Sequence, residues 1–208
     1  VPWMKKHQTM IDELALPDAA ERLAQSQAAA ALLREAGYVA IGIDHFALPE
    51  DSLTMAMQAG RLRRNFQGYT VDEADALIGL GASAIGRLPQ GHVQNMPATG
   101  EYQRRVKAGD LATVRGYAMN GDDRARAAVI EKLMCEIGFS RAWLCLRHGN
   151  AALAIFEIAN QLAAEGEYLQ KNGDRHEIIE SMRPFARQVA ARFDAFLENS
   201  NARHSMAV

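Results

Sequence analysis

Cysteine is scarce in this chain of 208 residues, which has only Cys135 and Cys145. Two thiols are too few for a disulfide framework or a cysteine-built metal site, so no metal ligands are assigned and a cytosolic, cytoplasmic setting is the simplest one. Both read as core thiols. No run of about 18 apolar residues is present to span a bilayer, and the N-terminus has neither the basic nor the apolar segment that directs secretion. An excess of charge of one sign is also missing. The formal net charge is -2, so no global field draws nucleic acid or anionic lipid. Low-complexity segments and internal repeats are absent. Val1-Pro2-Trp3 opens without an initiator Met, as expected of a segment from inside a longer polypeptide. Hydrophobic residues make up 49% of the chain, enough to build one core or two smaller ones rather than a disordered region.

Asp18 with Glu21 three residues on is a capping-box pattern, and Ala20, Leu23, Ala24, Ala28 and Ala31 then share one helical face up to Gly37. Tyr38 to Ile43 reads as a short buried strand that delivers Asp44-His45-Phe46 into a loop closed by Pro49. A helix is expected from Glu50 to Gln58, then a basic stretch with Arg61, Arg63 and Arg64. A second buried strand is expected at Ala76 to Leu80, parallel to the first, with Asp44 and Ile85 at one rim of an α/β barrel segment. Pro89, Gly91, Pro97 and Gly100 mark a loop or hairpin. From Asp122 the pattern turns helical: Val129, Leu133 and Ile137 share a face, and helices are expected over 142–147 and 151–165. Asn172-Gly173 between two short runs is a hairpin signal. Phe185, Val189, Phe193 and Leu197 mark a closing helix. The order suggests a small winged-helix-like domain, with the division placed at 1–112 and 113–208.

Several constellations carry chemistry only conditionally. Gly79-Leu80-Gly81-Ala82-Ser83-Ala84 matches a relaxed dinucleotide fingerprint, but Gly86, Pro89 and Gly91 break the helix that would receive the pyrophosphate. A strand-end loop whose glycines let backbone approach a ligand is the better reading. DNA binding fails on charge, because Ala151 to Glu165 contains no basic residue and two glutamates. His7, His45, His92, His148, His176 and His204 show no metal-ligand spacing. His45 is the best placed of them: Asp44 could orient its ring, although a structural hydrogen bond is the simpler reading. Arg61, Arg63 and Arg64 suit a polycarboxylate, or are a solvated helix end. Phe66 and Tyr69 would wall a planar ligand, or simply pack.

These features alone name no reaction. Val1-Pro2-Trp3-Met4-Lys5-Lys6-His7-Gln8, Gly42-Ile43-Asp44-His45-Phe46-Ala47, Arg64-Asn65-Phe66-Gln67-Gly68-Tyr69-Thr70 and Leu77 to Ile85 follow one another as signatures that resemble the oxygen-independent coproporphyrinogen III oxidase family. Arg115-Gly116-Tyr117-Ala118, Leu133-Met134-Cys135 and Phe193-Asp194-Ala195-Phe196-Leu197 resemble that family's C-terminal domain. The haem chaperones related to it tend to carry His-Asn-x-x-Tyr-Trp where this chain has Val93 to Ala98, so the oxidase branch is favoured and the chaperone is the alternative. A winged-helix interaction module without catalysis is the alternative from another class. Ala82 and Gly86 depart from the family's frequent Val and Ser, and Trp143 to Asn150 matches weakly.

The resemblance implies the C-terminal segment of a radical S-adenosylmethionine partial β/α barrel followed by the small helical domain. It implies an oxidoreductase of haem synthesis that converts two propionates of coproporphyrinogen III to vinyl groups. S-adenosylmethionine and a 4Fe-4S cluster are the implied cofactors of the full-length enzyme, with the cluster cysteines outside this chain and the chain alone inactive. Ile85 is the one residue onto which an S-adenosylmethionine contact carries over; no catalytic residue is assigned. Arg61, Arg63 and Arg64 would meet substrate propionates, with Phe66 and Tyr69 near the tetrapyrrole and Asp44 and His45 at the rim. The tetrapyrrole is the expected partner, the electron donor stays open, and self-association through the incomplete barrel is expected.

Overall fold

The computed structural model describes Asp12 and residues 15–197, and the signature Val1 to Gln8, with His7 and His204, lies outside them. Asp18 caps α1 (Ala19–Glu35), its carboxylate accepting the Glu21 amide at 2.9 Å. No α1 residue is buried. The alanine-rich stripe expected to pack has little area to bury and no counterpart among the described residues. β1 (Val39–Ile41) and β2 (His45–Ala47) form an antiparallel hairpin with Ile41 opposite His45. Asp51 caps α2 (Ser52–Gln58) through the Leu53 amide, close to the expected helix.

β3 (Arg63–Asn65) and β4 (Gly68–Thr70) make a second hairpin. β5 (Ile85–Leu88) and β6 (Gly91–Asn95) turn at Pro89-Gln90. After α3 (Thr99–Lys107), β7 (Thr113–Ala118) adds to β6, giving the order β5-β6-β7. β7 therefore extends the first sheet past residue 112.

α4 (Gly121–Glu136) opens on a full capping box between Asn120 and Asp123. β8 (Gly138–Ser140), α5 (Arg141–His148), α6 (Ala152–Glu165), β9 (Leu169–Asn172) and β10 (Arg175–Ile178) follow. Gly173, at φ +59, supplies the left-handed residue of the expected hairpin. Helix, strand, two helices and a hairpin, with sheet order β8-β10-β9, make the winged-helix arrangement. Its core includes Val129, Leu133, Phe139, Leu144, Ile155 and Phe193, each at most 1% exposed. Each such side chain contributes about 1.5–3 kcal/mol by leaving water. A 3-10 helix, Glu180–Phe185, leads into α7 (Ala186–Ala191).

Three expectations need correction. The parallel pair does not form: every strand pair among the described residues is antiparallel. A connection as short as Gly42-Ile43-Asp44 can only fold the chain back on itself, whereas parallel neighbours need a crossover of a dozen or more residues. Ala76 to Leu80 is not a strand; Leu77 alone bridges Arg87, exchanging both backbone hydrogen bonds at 2.7 and 2.8 Å. The closing helix is shorter than its apolar period, for it ends at Ala191; Phe193 is fully buried while Leu197 is 40% exposed.

His176 lies against the core of the winged-helix unit, 2% exposed, stacked on Phe139 with ring centroids 5.6 Å apart. Its Nε2 meets Asn160 Oδ1 at 3.0 Å, while Nδ1 is buried without a partner. Burial first, then Lys171 and Arg141, hold its pKa below the usual 6.5, against Asp174. The folded state thus prefers neutral imidazole. The unfolded chain binds the extra proton, so this contribution to stability is complete above pH 6.5 and falls as pH drops below it. Urea midpoints measured between pH 7 and pH 5 should decline, and His176→Phe, which keeps the stack, should flatten the decline. An unchanged slope in that variant would assign the acid sensitivity elsewhere.

Candidate functional site

The chain reverses at Gly42, where φ is +54, and the peptide that joins Gly42 to Ile43 is gripped at both ends. Its N–H donates to the Tyr69 hydroxyl at 2.9 Å. Its carbonyl accepts from Arg183 Nε at 2.9 Å. The Tyr69 hydroxyl donates onward to the Met134 carbonyl of α4 at 2.9 Å. A Cβ at Gly42 would lie 2.1 Å from that hydroxyl, so only glycine admits the ring. Burial raises the pKa of Tyr69, against the Ile43 hydrogen bond, and keeps the phenol protonated and able to donate. Burial likewise lowers that of Arg183.

The rim pair follows directly. His45 Nδ1 lies 2.8 Å from Asp44 Oδ1, as the adjacency suggested, and Arg187 of α7 reaches the other Asp44 oxygen at 2.5 Å. The His45 ring stands edge-on to Tyr69 at 4.9 Å, and the Arg64 guanidinium lies over Tyr69 at 5.3 Å. Asp44, His45, Arg64 and Tyr69 therefore form one cluster. The other arginines point elsewhere. Arg63 donates to Glu131 of α4 at 2.9 Å and Arg61 faces Glu73 at 3.6 Å; both line a cleft of about 460 Å³ with Lys132, Trp143 and Arg147. The Arg64 guanidinium has no carboxylate partner among the described residues, while its backbone amide donates to Glu131 at 3.1 Å.

Phe66 is 58% exposed at the β3–β4 turn and meets His92 edge-on at 5.5 Å. Ile85 begins β5, half-buried. The loop before it is held by residues the sequence did not single out for this role: Asn95 Nδ2 donates to the Gly79 and Gly81 carbonyls at 2.9 and 3.1 Å, and the Gly81 amide donates to the Tyr102 hydroxyl. Gly79 and Gly86 serve backbone packing, since a Cβ on either would come within 2.8 or 2.9 Å of backbone oxygen. Only Gly81 faces open space, at φ +108. Glu131, Arg183 and Arg187 carried no sequence signal, because their partners lie 67 to 143 positions away.

The donor set tests which cofactors fit. Cys135 is buried, and burial first pushes its thiol up to about 12; the expectation of a core thiol fails for Cys145, which lies exposed on α5. No group of three or more His, Cys, Asp or Glu among the described residues could hold a metal ion. An iron-sulfur cluster needs converging thiolates, so these residues do not fit one. Ile85 fits an apolar contact worth about 1.5–3 kcal/mol at most, too little alone to offset the cost of association. No helix among the described residues is long and apolar enough to cross a membrane.

No family model matches the chain. It is similar to oxygen-independent coproporphyrinogen III oxidase of Bradyrhizobium diazoefficiens, at 47% identity over 100% of this chain and 47% of that protein. It is 43% identical to the protein of that name from Paracoccus denitrificans, over 100% of this chain and 46% of the relative. Among solved structures it matches coproporphyrinogen III oxidase from Escherichia coli, a radical SAM enzyme, with TM-score 0.85 and 30% identity over 95% of this chain and 46% of that one. The chain thus spans about half the length of these relatives, and its α/β architecture is that of the matching part of the solved enzyme.

Because the Gly42 site tolerates no side chain, Gly42→Ala should cost about 2 kcal/mol or more, from overlap with Tyr69 and a left-handed backbone. Tyr69→Phe should cost about 1–3 kcal/mol by leaving a buried amide and carbonyl unpaired. Chemical denaturation measures both. Midpoints equal to the parent would show that the grip does not bear on stability.

Proposed function

The chain belongs to the oxygen-independent coproporphyrinogen III oxidase family, and from that premise we propose that it is the C-terminal part of an anaerobic coproporphyrinogen III dehydrogenase. The full-length enzyme would oxidatively decarboxylate two propionates of coproporphyrinogen III to vinyl groups, giving protoporphyrinogen IX in the cytoplasm. One observation carries the reading. The likeness runs through the entire chain, strand hairpins and winged-helix unit alike, at 47% identity. The division at 112/113 belongs to the same proposal.

S-adenosylmethionine and a 4Fe-4S cluster would supply the radical chemistry, held mainly by residues beyond this chain. Ile85 would add one apolar contact to the adenosyl group. Arg61, Arg63 and Arg64 are the proposed propionate partners, with Phe66 and Tyr69 beside the macrocycle and Asp44 and His45 at the rim. Arg64 is the strongest of the three, because its guanidinium lacks the carboxylate that occupies Arg61 and Arg63.

A chimera tests the reading, with this chain replacing the matching part of the Bradyrhizobium enzyme. Loaded anaerobically with its cofactors, it should convert coproporphyrinogen III to protoporphyrinogen IX. A folded, cluster-loaded chimera without product would overturn the proposal, and stable haem binding instead would place the chain with the chaperones. In the active chimera, Arg64→Ala should weaken substrate binding about tenfold, the size of one charge-assisted contact, and leave S-adenosylmethionine binding intact. The 208-residue chain alone, treated with iron, sulfide, dithionite and S-adenosylmethionine, should give no 5′-deoxyadenosine above the blank. Product there would show that the cluster site has been misplaced.

A further inference from the structure

Residues opposite one another in an antiparallel ladder share a face. The registers of β5-β6-β7 therefore put Ile85, Arg87, His92, Gln94, Arg115 and Tyr117 on one side of the sheet. The reverse side carries mostly small residues, among them Gly86, Gly116 and Ala118. Two aromatic contacts extend the first side: Phe66 meets His92, and Phe196 meets Tyr117 edge-on at 5.4 Å. Between Tyr117, α4 and the segment Phe193 to Phe196 runs a groove of about 290 Å³ lined largely by apolar atoms of Ile130, Phe193 and Phe196.

This surface is shaped for a ligand in two respects. Phe66, Tyr117 and Phe196 are 58%, 46% and 54% exposed, and clustered exposed aromatics beside a concave apolar wall are the usual make-up of a binding site. The charges also sort by availability. Both groove carboxylates are occupied, Asp123 by the Tyr117 hydroxyl at 2.8 Å and the Asn120 amide, Asp194 by the Phe196 amide. Arg115 is exposed, and its side chain has no hydrogen-bond or ion-pair partner among the described residues. A free guanidinium at the edge of an aromatic face selects a planar carboxylate.

We propose that this sheet face binds the tetrapyrrole, with the macrocycle against Phe66, Tyr117 and Phe196 and one carboxylate paired to Arg115. The inference rests on the proposed function and adds Arg115, Tyr117 and Phe196 to the substrate surface. Two strand spacings separate Ile85 from Arg115, about 10 Å. That is about the width of the ring system, so a macrocycle anchored at Arg115 reaches the edge where Ile85 would touch the adenosyl group.

Coproporphyrin III, the stable oxidised macrocycle, is the probe, titrated into the 208-residue chain and followed by porphyrin fluorescence anisotropy. The parent chain should bind it saturably. Arg115→Gln should weaken binding about tenfold with an unchanged melting curve, because the side chain is exposed and unpaired. Phe196→Leu should weaken it as well, and Arg104→Gln, an exposed arginine on α3, should not. Equal affinity for Arg115→Gln and the parent, or no saturable binding by the parent, would overturn the inference. Neither result bears on turnover by the chimera, while binding that depends on Arg115 in a chimera without turnover would sink the proposed function and leave the binding face standing.

Discussion

One peptide unit, Gly42 to Ile43, ties the first hairpins to the helical unit at its two ends. Its N–H goes to Tyr69 in β4 and its carbonyl to Arg183 ahead of α7, while Tyr69 passes its own proton to the Met134 carbonyl in α4. A buried peptide left unpaired costs about 1–3 kcal/mol per group. Any movement of the helical unit away from the first hairpins would break two of these hydrogen bonds together, Arg183 to Gly42 and Tyr69 to Met134. The absence of a side chain at Gly42 is what lets the phenol approach.

The same contact organises the chemistry-bearing residues. Immediately after the gripped peptide, Asp44 is held between His45 and Arg187, so a residue of the β1–β2 turn is positioned by α7. Arg63 repeats the pattern through Glu131. The winged-helix unit thus acts as a brace for the β1–β2 turn and for β3. Its third helix, α6, has no basic residue with which to enter a nucleic-acid groove.

How far the sequence could be read depended on whether the cause was local. Asn172-Gly173 specified its hairpin because a left-handed residue is needed there. Asp18 marked the start of α1 because its side chain caps an amide three residues away. The β3–β4 hairpin was hidden inside a run of arginines, and α3 inside a stretch judged by Pro97 and by Gly100, which lies in the helix's first turn. Parallel pairing of Tyr38 to Ile43 was expected from an apolar run between a helix and a polar strand end, and that pattern does not distinguish a hairpin strand from a barrel strand.

What the sequence determined by itself was the likeness to the family, through motifs in order along the chain, together with the Asp18 cap, the Asn172-Gly173 turn and the apolar period of the helical core, the last three being consequences of chemistry within a few residues. Only the tertiary structure decided which of the three guanidinium groups lacks a carboxylate, that Tyr69 supports the Gly42–Ile43 peptide, and that Arg115 and Tyr117 share a face with Ile85. Those outcomes depend on strand register and on ion pairs up to 143 positions apart. Register and long-range pairing are fixed by how whole elements bury one another, and no local pattern records that.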